Sequence, residues 1–315
     1  LTVQVGPGLS PCLAAGLDFG KALAAEAHVP FYPVHHMEAH ALTARMVAPV
    51  AFPFLVLLAS GGHCMLLAAE RLGVYHRLGT TLDDSPGEAL DKVARALGLG
   101  GAPALERAAA DGDPRRFAFS PPLQRQRTCD FSFAGLKTSA FRLIYGDGYQ
   151  GTTMAAGLRD DRWHDPTPTD AAFRADLAAS FQRAVVQHIS MRTHRALLYL
   201  RAARQPPTHL VASGGVLCNQ TLRAQLERLG AHFGVPLVFP PLPLCTDNAA
   251  MIAWTGHEYA CDPTNPAAAT LAAGDPRLAG LRYHTSWPLG HDASAAILQA
   301  DIPLPLKLHH RVTGA

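Results

Sequence analysis

Three histidines and a glutamate lie close together in PVHHMEAHAL, residues 33–42. His36 and His40 are four residues apart, so on a helix both imidazoles project from one face, about one turn apart. Helices often present two nitrogen ligands to a divalent metal in this way. A zinc-protease HExxH motif needs glutamate directly after the first histidine, but Met37 stands there and Glu38 follows it. The segment is therefore either a metal-ligand helix or a polar, hydrogen-bonded helix face.

Two apolar strands each end in Ser-Gly-Gly, in FLVLLASGG at residues 54–62 and HLVASGG at residues 209–215. Glycine lets the backbone approach a phosphate or sugar closely and direct N–H groups at it. The alternative is an ordinary tight turn. Asn219 follows the second turn, where its amide could hydrogen-bond a ribose or base edge. The repeated pattern suggests a duplicated α/β architecture with a nucleotide between two lobes.

Other polar residues have simpler explanations when each is considered alone. A helix reaching about Tyr259 is expected to start at Thr246 or Asp247, so the Asp247 carboxylate is more simply an N-cap than a metal ligand. Asp91 fits an ordinary helix-surface charge. The arginines scattered among phenylalanines over residues 115–142 fit a solvated face, and only loosely an RNA-binding surface.

The composition predicts a soluble, globular protein that is large enough for two domains. The chain has 315 residues, of which 48% are hydrophobic and 17% charged. A formal net charge of +2 neither demands nor excludes a nucleic-acid partner. The six cysteines form no CxxC pair, so we expect reduced thiols rather than disulfides or a thiolate zinc site.

Neither a signal peptide nor a membrane span is expected from the sequence. No apolar run reaches the roughly 18 residues that a membrane span requires. The chain opens on Leu1 without a charged stretch, which argues against a signal peptide. It also opens abruptly, so an N-terminal segment is expected to be missing.

Hydrophobic patterning predicts alternating strands and helices. Strands are expected over residues 1–5, 31–34, 54–59, 65–69, 209–212 and 235–239. Helices are expected over residues 10–27, 36–47, 85–97, 173–203 and 246–259. Ser10 and Ser85 are the expected N-caps of the first and third helices, and Ser85 is followed by a proline and a capping-box glutamate. Residues 111–170 are expected to be irregular, with a mobile loop over 146–170, and the tail from Pro263 shows little pattern.

Several stretches, taken in chain order, resemble the tRNA N6-adenosine threonylcarbamoyltransferases, formerly called O-sialoglycoprotein endopeptidases. They are GPGLSPCLAAGLDFGKALA, PVHHMEAHALTARM, FPFLVLLASGGHCMLL, LDDSPGEALDKVARALGL, DFSFAGLKT, LVASGGVLCNQTLR and PPLPLCTDNAAMIAW. They span nearly the whole chain in the family's order. HHMEAHAL and SGGHC look bacterial-type, and MRTHRALLYLRA looks like the animal mitochondrial branch.

The resemblance implies a duplicated two-lobe α/β fold of the actin/sugar-kinase/Hsp70-like (ASKHA) type. Lobe I would comprise residues 1–51, completed by residues 265–315, and lobe II would comprise residues 52–264 and bind the nucleotide. The family opens with a hairpin that carries an E-T-S-C-D-D-T-type phosphate loop. That N-terminal hairpin of lobe I is expected to be missing here.

The resemblance also implies transfer of a threonylcarbamoyl group from threonylcarbamoyl-AMP to N6 of adenosine 37 in tRNAs that decode ANN codons. One divalent metal ion per subunit would be held by His36, His40 and Asp247. The adenylate would be lined by Leu58, Ala59, Ser60, Gly61, Gly62, Asp91, Ala102, Glu106, Gly214, Gly215 and Asn219. A homodimer in the mitochondrial matrix would be the implied assembly, and no residue is assigned as general base.

Besides the hairpin that is expected to be missing, which keeps other functions open, two residues depart from the family's pattern. Ala102 replaces a glycine that would approach the ligand, and Leu58 replaces an archaeal-type tyrosine. Because the phosphate loop is expected to be missing, the main alternative is a non-catalytic nucleotide- or tRNA-binding paralogue. A sugar-kinase-like phosphotransferase would need a catalytic aspartate that we do not find, and the lack of HExxH makes a zinc protease the weakest alternative.

Overall fold

A computed structural model describes residues 1–146, 170–262, 275–304 and 306–314. The loop expected over 146–170 lies almost entirely outside the described residues. So does the first part of the tail, where lobe I was expected to resume.

The chain begins with a parallel strand–helix–strand unit. Strands β1 (Thr2–Gly6) and β2 (Tyr32–His35) pair in parallel, and helix α1 (Ser10–Glu26) connects them. The buried side of α1 packs on this pair, in a small core that includes Val5, Leu17 and Phe31. The predicted Ser10 cap is wrong, because Leu9 is the N-cap residue and the Ser10 hydroxyl hydrogen-bonds that of Tyr283.

A second, six-stranded sheet forms the centre of the described chain. Its strands are β3 (Phe54–Ala59), β4 (Cys64–Arg71), β5 (Val74–Thr80), β6 (Leu210–Ser213), β7 (Leu237–Val238) and β8 (His291–Asp292), in the order β7-β6-β3-β4-β5-β8. The strand predicted over residues 65–69 is confirmed as β4, which pairs antiparallel with β3, whereas β5 was not predicted. β3 also pairs in parallel with β6, so the two Ser-Gly-Gly turns lie side by side at the ends of neighbouring strands.

β3 is completely buried because helices cover both faces of the sheet. Successive side chains of a strand point to opposite faces. Accordingly Leu55 and Leu57 join one hydrophobic core, while Val56 and Leu58 join the other. The apolar run at residues 54–59 therefore folds as the predicted buried strand, in a mixed α/β structure whose sheet is flanked by helices.

The remaining helices follow in chain order. They are α2 (His36–Leu42), α3 (Pro86–Ala96), α4 (Ala102–Ala109), α5 (Ala134–Tyr145), α6 (Ala171–Ala202), α7 (Gln220–Phe233), α8 (Leu242–Cys245), α9 (Ala249–Cys261), α10 (Pro276–Gly280), α11 (Ser294–Ala300) and α12 (Leu306–Thr313). The predicted long helix is α6, and α2 continues into a 3-10 turn over Thr43–Met46. None of the helices in the described ranges is long and apolar enough to cross a membrane.

Residues 111–170 are not irregular throughout, because α5 lies among them. The start of α5 is held by a side chain about fifty residues earlier in the chain: Asp83 Oδ1 accepts hydrogen bonds from the backbone N–H groups of Phe133 and Ala134. A helix whose N-terminal N–H groups are satisfied from so far away carries no local capping signal. By contrast, the local cap predicted at Ser85 is confirmed, since its hydroxyl accepts from the N–H of Glu88.

Candidate metal centre and adjoining cleft

Helix α2, which carries the candidate metal ligands, begins directly at the end of β2. His35 is its N-cap, and its Nδ1 accepts a hydrogen bond from Met37 N at 3.1 Å. The other ring nitrogen, Nε2, lies 3.0 Å from the carbonyl oxygen of Trp287, to which it donates. Both nitrogens of His35 are therefore occupied. Of the three histidines in the segment, His36 and His40 are the two left for a ligand.

His36, His40 and Asp247 lie together, although Asp247 is more than 200 residues away in sequence. Their potential ligand atoms lie within 4.8 Å of one another. Asp247 Oδ1 is 3.5 Å from Nε2 of His36 and 3.1 Å from Nε2 of His40. The histidine side chains are 10% exposed and that of Asp247 is 80% exposed. Two buried imidazoles therefore meet one open carboxylate.

The N-cap interpretation of Asp247 is wrong. Asn248 caps α9, because its Oδ1 accepts a hydrogen bond from the backbone N–H of Met251 at 2.9 Å. With the neighbouring residue in the capping position, the Asp247 carboxylate is free to face the two histidines. Whether Asp247 is a helix cap or a candidate ligand depends on which of two adjacent residues occupies the N-cap position of α9.

A contact with β1 determines which nitrogen of His36 faces the carboxylate. Gln4 Nε2 donates to the carbonyl oxygen of Pro7 at 3.1 Å, which turns Gln4 Oε1 toward His36 Nδ1 at 3.0 Å. Since an amide oxygen only accepts, His36 Nδ1 carries the hydrogen and Nε2 presents its lone pair to Asp247.

The resulting donor set fits a divalent metal ion. Burial lowers the pKa of His36, with Asp247 opposing the shift, and lowers the pKa of His40 to about 4. Both rings are therefore neutral near pH 7, which is the protonation state that binds metal. The His36 lone pair and the Asp247 oxygen face each other as two acceptors, so a cation between them would satisfy both. Two imidazole nitrogens and a carboxylate oxygen form a common metal-ligand set that leaves positions open.

Glu38 points away from this centre. It is 2% exposed, and it accepts hydrogen bonds from Tyr75 Oη at 3.0 Å, Gly73 N at 3.1 Å and Tyr259 Oη at 2.5 Å. Burial raises the pKa of Glu38, and these hydrogen bonds oppose that shift. The carboxylate thus joins α2 to β5 and α9, and it has a structural environment rather than a ligand position.

The candidate metal centre opens into a cleft of about 550 Å³ at the ends of β3 and β6. Of the residues proposed to line the adenylate, this cleft contains Leu58, Ala59, Ser60, Gly61, Gly62, Gly214 and Gly215. Gly214 has φ +108°, and a Cβ there would lie 2.3 Å from the carbonyl oxygen of Ala59. Only glycine therefore lets the two turns approach each other at this point. Around Gly61, Gly62 and Gly215 a Cβ would meet no atom within 4 Å, so this backbone faces open space.

The first turn uses some of its own N–H groups. The hydroxyl of Ser60 accepts hydrogen bonds from Gly62 N at 3.3 Å and His63 N at 3.1 Å. The prediction that this turn directs N–H groups at a phosphate therefore does not extend to these two, which the Ser60 side chain already satisfies.

An adjoining cavity of about 240 Å³ contains the remaining predicted residues: Asp91, Ala102, Glu106 and Asn219. It shares Gly61 and Gly215 with the larger cleft. All the residues proposed to line the adenylate thus lie along two neighbouring cavities that meet at the glycine turns.

Three of these side chains also hold the protein together. Asp91 accepts from the N–H of Ala102 at 2.8 Å, and Glu106 accepts from the N–H of Gln220 at 2.8 Å. Asn219 caps α7 and also donates from Nδ2 to Gln182 at 2.7 Å. It therefore precedes the helix rather than lying inside it, and its amide already has partners on both sides.

The cleft contains a histidine that sequence reasoning did not assign. His63 follows the first glycine turn, in SGGHC, and lines the same cleft as the metal centre. Burial lowers its pKa, and the nearby Asp247 carboxylate opposes the shift. Its position directly after Ser-Gly-Gly was the available signal, because that turn was already expected to face a ligand.

Comparisons with known proteins identify the family of the chain. Residues 1–254 match the family model described as tRNA N6-adenosine threonylcarbamoyltransferase. An enzyme of that name from Paramagnetospirillum magneticum is 47% identical over 255 residues, covering 80% of this chain and 68% of its own length. A relative from Rhodospirillum rubrum is 43% identical, covering 92% of this chain and 73% of its own.

A plant relative aligns over the whole chain. The Arabidopsis thaliana protein, named a probable mitochondrial tRNA N6-adenosine threonylcarbamoyltransferase, is 37% identical over 100% of this chain and 64% of its own length. The chain therefore spans about two thirds of the length of the Paramagnetospirillum and Arabidopsis relatives. From the family match and these identities, the chain belongs to the tRNA N6-adenosine threonylcarbamoyltransferases, a family of tRNA-modifying transferases.

Proposed function

We propose that this chain transfers a threonylcarbamoyl group from threonylcarbamoyl-AMP to N6 of adenosine 37 in tRNAs that decode ANN codons. One observation carries the proposal: the His36–His40–Asp247 cluster and the two glycine turns line one continuous cleft. A metal centre beside an open, glycine-lined backbone suits a ligand that combines a phosphate with a reactive acyl group.

Residues in different parts of the two cavities would bind different parts of the ligand. His36, His40 and Asp247 would hold one divalent metal ion, which, when bound, would offset negative charge on the mixed anhydride. The glycine turns would lie against the phosphate and sugar. The adjoining cavity with Asp91, Glu106 and Asn219 would take the rest of the adenylate.

The reaction forms a bond from adenosine N6 to the carbamoyl carbon and breaks the bond from that carbon to the phosphate oxygen. AMP leaves with the electron pair, and N6 loses a proton. The N6 amino group is a poor nucleophile because its lone pair is delocalised into the ring. The chain's contribution is therefore mainly to place the nitrogen against an already activated carbonyl in a fixed electrostatic environment.

We also propose a lobe division, an oligomeric state and a cellular compartment for this chain. Residues 1–51 with 265–315 would form lobe I and residues 52–264 lobe II of a duplicated ASKHA-type fold. The small parallel sheet at the start and the larger sheet beginning at β3 support a boundary near residue 51. The pairing of β8 (His291–Asp292) with β5 argues against assigning the last part of the tail to lobe I. A homodimer in the mitochondrial matrix is the proposed assembly, and the mitochondrial name of the Arabidopsis relative supports the compartment.

The test compares the wild type with the double variant His36→Ala/His40→Ala. Each is given threonylcarbamoyl-AMP and an ANN-decoding tRNA, and the digested nucleosides are analysed by mass spectrometry. Threonylcarbamoyladenosine from the wild type alone would support both the reaction and the metal centre. Product from both proteins would remove the metal from the mechanism. Product from neither, with tRNA still bound, would favour the non-catalytic paralogue.

A further inference from the structure

The segment Pro114–Thr128, here called the arginine loop, carries charged side chains of positive sign only. It contains four arginines and neither aspartate nor glutamate. Arg115, Arg116, Arg125 and Arg127 are all exposed. The whole chain has a net charge of only +2, so this loop is a local concentration of positive charge.

A buried arginine beneath the loop fixes its shape. Arg192, on α6, is 1% exposed. Its guanidinium donates four hydrogen bonds of 2.7–3.1 Å to loop carbonyls, those of Pro122, Leu123, Gln126 and Thr128. The planar guanidinium presents its donors in a rigid fork, so it determines where several loop residues lie relative to α6.

The loop's aromatic side chains point inward. Phe117 and Phe119 are partly buried, in edge-to-face contact with Phe173 and Phe181 at centroid distances of 5.4 and 5.7 Å. The backbone N–H of Phe117 also donates to the hydroxyl of Ser180. These rings anchor the loop to α6 and are not available to stack on bases, which leaves the exposed guanidinium groups to contact a nucleic acid.

Among the residues that the structure describes, few groups compete for the exposed guanidinium groups. Asp113, which precedes the loop, accepts from the backbone N–H of Arg115 rather than from its side chain. Arg127 pairs with Asp301, but both side chains are exposed at 46% and 68%. Exposed ion pairs of this kind contribute little to stability, so a phosphate can replace the carboxylate.

We propose that the arginine loop is a docking surface for the phosphate backbone of the tRNA substrate; this rests on the proposed function. Exposed guanidinium groups match phosphate geometry. Because the loop is already held by Arg192 and the two phenylalanines, binding would order little additional chain. Phosphate contacts fix position without selecting sequence, so the loop would raise affinity for tRNA in general.

The experiment measures binding of an unmodified, ANN-decoding tRNA transcript to the full chain by fluorescence anisotropy over a series of KCl concentrations. The test variant is Arg115→Gln/Arg116→Gln/Arg125→Gln/Arg127→Gln. The control is Arg71→Gln/Arg95→Gln/Arg204→Gln/Arg282→Gln, which removes the same charge from positions elsewhere on the protein. A third variant replaces the four loop arginines by lysine, which keeps the charge.

For the glutamine variant of the loop we expect affinity to fall by more than about tenfold at low salt. The slope of log K against log[KCl] should decrease by about one for each phosphate that the loop no longer binds. The control and the lysine variant should keep most of the slope. Equal slopes in the loop and control variants would overturn the docking surface, as would a wild type that binds no tRNA.

The same proteins separate this proposal from the proposed function. In the transferase assay the loop variant should raise KM for tRNA with kcat retained, since the cleft is untouched. If the wild type forms product but the loop and control glutamine variants bind tRNA equally well, the proposed transferase function stands and the docking surface is rejected. If the wild type binds tRNA through the loop but forms no product, the docking surface stands and the proposed transferase function is rejected.

Discussion

Gln4 lies 3.0 Å from the Nδ1 atom of His36, although 32 residues separate them in sequence. The side chain of Gln4 is oriented by its own donation to the carbonyl oxygen of Pro7. Through this pair, β1 determines which nitrogen of His36 faces Asp247. Hydrogen-bond partners of this kind orient the ligands of many metal sites and increase their basicity.

Replacing Gln4 should therefore alter the metal centre without touching a ligand. Gln4→Leu removes the acceptor, so metal affinity, measured by titration with zinc against a chelator, should fall about 10- to 100-fold. Gln4→Glu keeps an acceptor and should keep the affinity. Long-range ¹H–¹⁵N spectra of the metal-free protein should show that the ring hydrogen of His36 stays on Nδ1 in Gln4→Glu and not in Gln4→Leu. Equal losses in both variants would mean that Gln4 acts only through packing.

Variants of Asp247 and Asn248 should distinguish the proposed metal ligand from the N-cap of α9. Asn248→Ala removes the cap of α9, so the free energy of unfolding should fall by about 1 kcal/mol with metal affinity nearly unchanged. Asp247→Ala should weaken metal binding and leave the stability of the metal-free protein nearly unchanged. Urea unfolding with a chelator present and zinc titration measure the two effects. If Asp247→Ala costs the metal-free protein as much as Asn248→Ala, the assignment of the cap is wrong.

The carboxylate of Glu38 should tie the metal-ligand helix to its neighbours. Tyr259→Phe and Tyr75→Phe each remove one donor to a buried carboxylate, and each should cost about 1.5–3 kcal/mol of unfolding free energy in urea. Because both phenols bond the same group, the double variant should not equal the sum of the two. Tyr199→Phe, on α6, is the control and should cost less. Losses no larger than that of the control would show that these hydrogen bonds contribute little.

His188 should make stability depend on pH. Burial, with Arg192 nearby, lowers its pKa from 6.5 to about 3, and Nε2 accepts from the backbone N–H of Ser132. Below pH 6.5 His188 becomes protonated in the unfolded chain but stays neutral in the folded chain. The free energy of unfolding therefore falls as the pH falls, by up to about 1.4 kcal/mol per pH unit for this group.

His188→Gln checks this directly. It keeps an acceptor for Ser132 and removes the ionisation, so its unfolding free energy should fall less steeply than that of the wild type between pH 7 and 5. The difference between the two curves should reach up to about 2 kcal/mol. Urea unfolding at several pH values measures it, and parallel curves for the two proteins would contradict the prediction.

Local patterns determined much of the fold in advance. The four-residue spacing of His36 and His40 placed two imidazoles on one helix face, and Ser85 with its proline indicated the start of α3. The fully apolar run at residues 54–59 indicated a buried strand. These features depend on neighbours within a few residues, so the sequence records them directly. The duplicated lobes and their boundaries stay predictions.

The partners of the candidate site were decided only by the tertiary structure. Asp247 faces two histidines because Asn248, not Asp247, caps α9. The hydrogen of His36 is placed by Gln4, and Glu38 turns away because two tyrosines from β5 and α9 meet it. Each of these contacts joins residues far apart in the chain, and a side chain's role depends on which distant group arrives beside it. For that reason the sequence alone indicated a metal-ligand helix, while the folded chain decided which atoms of it remain free to bind.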